Sequence, residues 1–294
     1  MPVSKSSVFY VLALVALLIG IPLALLYREA SRSRQSLGEY LRGLLGAEGA
    51  RVTEPAEADA AGATIRFLEK RAIGDPVGDT PPWITHLDIV DLDGDGLKDV
   101  VLCDAKRNQL AWIQQKPAGT YRERAIGTPV LAPAHVTPSD VDGDGDLDLL
   151  VAKMGTILPN NDKIGAVVVL ENDGDQEFTN RVIAEDMARV TDVEAGDFDG
   201  DGDLDLAVGQ FGYDDGEIRW MENKGDWEFE SRQLLNLSGT IHAPVGDIDG
   251  DGDLDIAAVV SQEWEEIYVF ENDGKANFQK HIIYGATNED FGSS

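Results

Sequence analysis

The chain has 294 residues, 43% of them hydrophobic and 27% charged, a globular composition of one or two domains that excludes wholesale disorder and a multi-span membrane protein. Its 54 Asp and Glu against 24 Lys and Arg leave a formal net charge of -30, which excludes a nucleic-acid backbone as the main partner and favours something cationic. The single cysteine, Cys103, excludes an intramolecular disulfide, a CxxC redox pair, a cysteine zinc cluster and a CxxCH haem attachment, and four histidines leave little room for imidazole chemistry.

After a short flank over residues 1–7, Val8 to Tyr27 read VFYVLALVALLIGIPLALLY, without a charge. At about 1.5 Å per residue this run spans roughly 30 Å, the thickness of a bilayer core, and it is expected to cross a membrane once. Gly20 and Pro22 lie inside it, where membrane helices tolerate such breakers. The competing reading is a cleaved signal peptide with Lys5 ahead of its apolar segment. The run is long for that role and Tyr27, Arg28 and Glu29 stand where small cleavage-site residues belong, so an uncleaved anchor is expected. Arg28, Arg32 and Arg34 follow the run while only Lys5 and the amino terminus precede it, and the positive-inside rule alone would leave the bulk of the chain in the cytoplasm.

Residues 28–63 read as a linker. Leu37, Tyr40, Leu41, Leu44 and Leu45 have helical spacing, and beyond them AEGARVTEPAEADAAGA is an acidic tether with no apolar face.

From residue 64 to 294 the chain repeats. The segments DLDGDGLKD at Asp91, DVDGDGDLD at Asp140, DFDGDGDLD at Asp197 and DIDGDGDLD at Asp247 start 49, 57 and 50 residues apart. A period near 50 with one supersecondary unit per copy marks a solenoid, a propeller or an array. Each copy places Asp at positions 1, 3, 5 and 9: Asp91, Asp93, Asp95 and Asp99; Asp140, Asp142, Asp144 and Asp148; Asp197, Asp199, Asp201 and Asp205; Asp247, Asp249, Asp251 and Asp255. Alternate carboxylates on a tightly curled backbone converge on a point, and that many anions are tolerable together only around a cation. Gly at position 6 permits the sharp turn, and hard oxygen donors without His or Cys in the loop suit calcium rather than zinc or copper. About four calcium ions are expected, one per loop. An EF-hand begins similarly but places Glu at position 12 before a helix. Here position 12 is Leu102, Val151, Val208 or Ala258, inside the short apolar runs DVVLC, DLLVA, DLAVG and DIAAV, which read as buried strands.

Each unit continues with a second pattern of strand and turn, QLAWIQQKPAG, AVVVLENDGD, EIRWMENKGD or EIYVFENDGK, and a last strand beginning at Tyr121, Phe178, Phe229 or Phe278. With the strand that leads into each loop, such as ITHLDIV from Ile84, every unit has four antiparallel strands, one blade of an all-β propeller. The D-x-D-x-D-G-x-x-D loops between first and second strands in a repeat of this length resemble the FG-GAP/VCBS family, related to integrin alpha-chain propellers. That resemblance implies a calcium-stabilised β-propeller, usually extracytoplasmic and often in adhesion or carbohydrate contexts, without implying an activity.

LEKRAI from Leu68 matches the last strand of a blade although no complete blade precedes it. In a closed ring it would complete the final blade; four complete units and this closing strand fit either a small ring or a chain shortened from a larger propeller, and the shortened chain is the expectation.

Outside the loops, His86, His135 and His242 each stand five residues before the first loop Asp, and Asp192 holds that place in the third unit. On the innermost strands these four could gather at the end opposite the calcium loops and hold a transition metal or an anionic ligand. The alternative is that the repeat template keeps a residue whose ring nitrogen satisfies a strand-start carbonyl. The turns between second and third strands vary most: Lys106 to Asn108, the insertion from Met154 to Gly165, Phe211 to Asp215, and Trp264 to Glu266. Variable loops on a repeated scaffold carry recognition, and Tyr213 and Trp264 could stack on sugars or on a protein partner. Trp112, Trp220 and Phe270, at equivalent strand positions, are expected in the core between blades.

No nucleophile elbow and no zinc-protease helix motif occurs. The expectation is therefore a non-catalytic, membrane-anchored binding, adhesion or scaffold module with an unknown protein or glycan ligand, outside the cytoplasm because calcium loops of extracellular strength would stay largely empty in cytosol. The alternative is a polysaccharide-lyase-like enzyme using the propeller channel.

Overall fold

The computed structural model describes residues 70–75, 81–262 and 265–285. The chain divides after Glu69, and all described residues belong to the second unit, from Lys70 to Ser294. The expected membrane segment over 8–27 and the linker over 28–63 lie outside the described residues; among those described, no helix is long and apolar enough to cross a membrane.

The described part is all-β, with sheets following one another in chain order. The first contains β1 (Ile84–Val90), β2 (Asp99–Asp104), β3 (Gln109–Gln115) and β4 (Tyr121–Ile126). The second contains β5 (Pro133–Ser139), β6 (Asp148–Lys153), β7 (Gly165–Asn172) and β8 (Phe178–Met187), and the third β9 (Val190–Gly196), β10 (Asp205–Gln210), β11 (Glu217–Asn223) and β12 (Phe229–Asn236). In the fourth, the inner strand is split into β13 (Thr240–His242) and β14 (Val245–Gly246), both paired with β15 (Asp255–Ser261), followed by β16 (Glu265–Asn272) and β17 (Phe278–Tyr284). Pro244 stands at the break, where its missing N–H cannot join the ladder and its carbonyl instead accepts from Ala257 N at 2.9 Å. Every pairing within these sheets is antiparallel. Each is a propeller-like blade.

Composition explains the order of strands across a blade. The second and third strands carry runs such as LLVA and AVVVL, buried on both faces; the fourth strands alternate and carry the Arg, Lys and Glu that blunt an outer edge. Blades pack face to face through apolar layers. Val101, Leu110 and Trp112 of the first meet Leu149, Val168 and Leu170 of the second. Leu150 and Val169 meet Val193, Leu206 and Met221 of the third, and Phe198, Ile218 and Trp220 meet Ile256 and Phe270 of the fourth. Trp112, Trp220 and Phe270 are thus core residues, as their equivalent positions suggested.

Residues 70–75, the described end of the expected closing strand, carry no strand, and they lie against the first blade. Ile73 packs on Leu102, Ala111 and Ile113, and Asp75 N donates to Glu123 Oε2 at 2.8 Å. Thr128 N donates in the same way to Asn180 Oδ1 of the second blade at 2.7 Å, just after the matching RAIG of Arg124 to Gly127. The Arg71 to Gly74 segment therefore rests on the first blade as the end of one blade rests on the next. Leu87 and Ile89 remain exposed on that blade's inner strand.

Candidate functional site

The acidic loops occupy one end of the blades, between first and second strands. In each, carboxylate oxygens of positions 1, 3 and 5 lie within 4.8 Å of one another: Asp91, Asp93 and Asp95; Asp140, Asp142 and Asp144; Asp197, Asp199 and Asp201; Asp247, Asp249 and Asp251. The curl that gathers them is local. Position 6 N donates to the position 1 carboxylate at 2.8 to 3.1 Å in the first three loops, and position 7 N to the position 5 carboxylate at 3.0 Å in all four. Gly96, Gly145, Gly202 and Gly252 at position 6 have positive φ, and so do Gly94, Gly143, Gly200 and Gly250 at position 4, a requirement the sequence reading assigned only to position 6. A Cβ on Gly143 or Gly145 would meet nothing, so backbone conformation rather than space demands glycine there.

Asp91 Oδ1 and Asp140 Oδ1 are buried and accept no hydrogen bond. A buried carboxylate oxygen without a donor is costly, and a cation in the cluster would satisfy it. The residues at positions 1, 3 and 5 accordingly fit a hard divalent cation. The first loop differs: Lys116 Nζ stands 3.3 Å from Asp93 and 3.4 Å from Asp95, and Gln114 Nε2 donates to Asp93 at 2.6 Å.

The position 9 aspartates, Asp99, Asp148, Asp205 and Asp255, stand outside those clusters of three and are fully buried. They brace the loop. One oxygen accepts the backbone N–H that ends the third strand, from Gln115, Asn172, Asn223 or Asn272 at 2.7 to 2.8 Å. In the last three loops the other accepts from position 2, Val141, Phe198 or Ile248, at 2.8 to 3.3 Å. Burial pushes Asp148 and Asp205 up to about 6 despite these bonds. The side chains of Asn172, Asn223 and Asn272 complete the brace by donating to the position 8 carbonyls of Leu147, Leu204 and Leu254 at 3.1 to 3.2 Å. Sequence reasoning missed these asparagines and the preceding Glu171, Glu222 and Glu271, although the recurring Glu-Asn pair ahead of each turn marked them. Each glutamate adds negative charge near the position 3 aspartate of its blade.

At the opposite end of the sheets a second group forms on the inner strands. A register slip one residue before His86, His135 and His242, and opposite Asp192, turns these side chains toward one another. Neighbouring inner strands are stitched by Thr85, Thr137 and Thr191 hydroxyls donating to Pro133, Val193 and Thr240 carbonyls at 2.6 to 2.8 Å. His135 is buried with its Nδ1 2.9 Å from Asp192 Oδ1 and its Nε2 3.9 Å from Glu194. His242 Nδ1 is 3.5 Å from Asp192 Oδ2, and the His86 ring lies 3.6 Å from that of His135.

Part of this group serves the backbone by accepting N–H groups, not by donating to a strand-start carbonyl. Val136 N donates to His86 Nδ1 at 3.4 Å, and Ala243 N to Asp192 Oδ2 at 2.7 Å. Burial and the neighbouring His135 hold His86 below the ordinary imidazole value, while the Asp192 carboxylate lifts His242 above it. Burial opposes ionisation of Asp192, but His135, His242 and the Ala243 amide outweigh it and hold its carboxyl far below the usual range. Burial, followed by repulsion from Asp192, pushes Glu194 up to about 7.

The variable turns lie at this same end. The insertion after Met154 is held by Arg189, which donates to Ile157 O at 2.7 Å and Thr156 O at 3.2 Å. Asn161 Nδ2 donates to Asp214 at 2.6 Å, joining the insertion to the third blade. Tyr213 is half-exposed and its carbonyl accepts from Gln262 at 2.6 Å; Trp264 lies outside the described residues.

No curated protein matches the chain. Among solved structures it is similar to an Agrocybe aegerita lectin studied for specific recognition of non-reducing terminal N-acetylglucosamine, with 19% identity, 71% of this chain and 67% of that chain covered, and a TM-score of 0.31. The FG-GAP-like repeat profile matches residues 91–151, 156–208 and 197–258, stretches that contain all four acidic loops and the strands between them. With more than half of its length matched in this way, the chain belongs to the FG-GAP-like repeat family.

Proposed function

We propose that the chain is a membrane-anchored, calcium-loaded β-propeller that works outside the cytoplasm as a non-catalytic binding, adhesion or scaffold module for a protein or glycan. The observation that carries the reading is the fourfold recurrence of the three-carboxylate cluster, with buried position 1 oxygens lacking donors in two of the loops. A hard, flexible oxygen shell of this type suits calcium, and weak sites of extracellular strength would fill only where calcium is millimolar. Bound calcium would brace the loop end of the blades and leave the variable turns at the other end, with Tyr213 among them, free for recognition.

Calorimetric titration of the chelator-treated full chain is expected to find about four calcium equivalents, one for each loop. The first loop should be the weakest, because Lys116 competes for Asp93 and Asp95. Lys116→Gln should tighten that site by roughly 2- to 5-fold, in line with a partly exposed ion pair. Absence of calcium uptake would return the loops to ordinary turns and remove the proposal.

The anchor rests on the uncharged run from Val8 to Tyr27, and the side of the membrane on the calcium argument. Protease added outside intact cells should digest the repeat unit. Full protection, with digestion only after lysis, would place it in the cytoplasm as the three arginines after the run suggest.

A further inference from the structure

The inner-strand group holds chemistry that the calcium loops do not use. Asp192 is buried, yet its Oδ1 accepts no hydrogen bond: the 2.9 Å approach of His135 Nδ1 lacks the alignment of an N–H donor. His242 Nδ1 faces the other oxygen from 3.5 Å, and one nitrogen of each histidine and a carboxylate oxygen lie within 4.8 Å of one another. A tetrahedral zinc centre with bonds of about 2.0–2.2 Å has ligand atoms roughly 3.3–3.6 Å apart, inside the 4.8 Å that contains one nitrogen of each histidine and a single Asp192 oxygen, so small side-chain shifts would close the shell. The geometry points to a transition-metal site of the zinc class formed by His135, Asp192 and His242, one ligand from each of three successive blades.

The surroundings fit that assignment. With His135 Nδ1 toward the metal, its Nε2 lies 3.9 Å from Glu194 Oε1, beyond hydrogen-bond reach, so Glu194 contributes a nearby acidic group that favours a cation. His86 is a packing neighbour rather than a ligand, because its Nδ1 accepts the Val136 N–H and its other nitrogen then carries the proton. Two ligands are buried and the His242 side chain is 55% exposed, so a metal can enter from solvent and keep a coordination position for water or an anionic group. Two imidazoles and one carboxylate are a borderline donor set that calcium does not favour, which makes this site chemically separate from the acidic loops.

The test uses the untagged full chain in detergent, with millimolar calcium present throughout so that any acidic-loop site is occupied. Titration with cobalt(II), as a spectroscopic stand-in for zinc, is expected to give one equivalent with visible bands of tetrahedral N/O coordination, displaced by one equivalent of zinc. His242→Ala, at the exposed ligand where folding is least at risk, should abolish the bands. Glu194→Gln, which removes an acidic group beside His135, should weaken zinc binding only about 2- to 5-fold. His86→Ala should leave the bands and the stoichiometry in place. Absence of a stoichiometric cobalt spectrum, or a spectrum that survives both His242→Ala and His135→Ala, would overturn the assignment. Because calcium saturation is measured separately on the same preparation, failure of the calcium reading remains distinguishable from failure of this one.

Discussion

Excess chelator is expected to lower the melting temperature of the full chain by roughly 10 to 20 °C relative to 1 mM calcium. If each loop binds the ion only when curled, as proposed, calcium at about ten times a Kd near 10⁻⁴ M would contribute about 1.4 kcal/mol per site. Four such sites contribute about 5 to 6 kcal/mol, and a unit of this size shifts by about 2–4 °C per kcal/mol. The loss on chelation has a plain electrostatic cause. The four loops hold 19 of the chain's 54 acidic residues, and without a cation each cluster of three carboxylates is left facing itself. The measurement is a pair of thermal scans, with magnesium at the same concentration as a control. Coincident melting in chelator and calcium would mean that the loops are turns without a cation role.

The second large effect belongs to a residue whose part in the loop differs from that of its neighbours. Asp205→Ala should destabilise the protein by about 3 to 5 kcal/mol, with or without calcium. Its carboxylate accepts from Asn223 N at 2.8 Å, Trp220 Nε1 at 3.2 Å and Phe198 N at 3.3 Å, and truncation would strand these buried donors together. Asp199→Ala, two positions into the same loop, should cost stability in calcium and change little in chelator. Denaturant midpoints at unchanged slope, measured for both variants in both buffers, make the comparison. If Asp205→Ala lost stability only in calcium, position 9 would act chiefly as an ion ligand and the bracing account would fail.

The fold was legible because its rules are local. QLAWIQQ and GAVVVLEN carry continuous apolar runs and became the strands β3 and β7, and ITHLDIV, read as the strand that leads into its loop, is β1 although its Leu87 and Ile89 stay exposed. The loops were legible for the same reason: the hydrogen bonds that curl positions 5 to 7 run within the loop itself. Less visible was the difference among the aspartates of one loop. Positions 1, 3 and 5 converge, while position 9 already begins the second strand and is buried against the end of the third, so its role depends on a strand pairing that spans 16 to 24 residues. The split of β13 from β14 at Pro244 was readable from proline chemistry and was not drawn from the sequence.

The inner-strand group marks the limit of what a single pattern can say. Equal offsets from the loops placed His86, His135, Asp192 and His242 at matching points of their blades, and that much the sequence determined by itself, together with the blade repeat and the carboxylate spacing of the loops. Only the tertiary structure decided that His86 stacks and receives a backbone N–H while His135 and His242 converge on the buried Asp192, some 50 residues distant from each. The physical reason is that spacing along a strand sets which way a side chain points within its own sheet, whereas meeting across blades depends on how successive sheets rotate and pack. That rotation is decided by the apolar faces around Trp112, Leu206 and Ile256, not by the residues of the site.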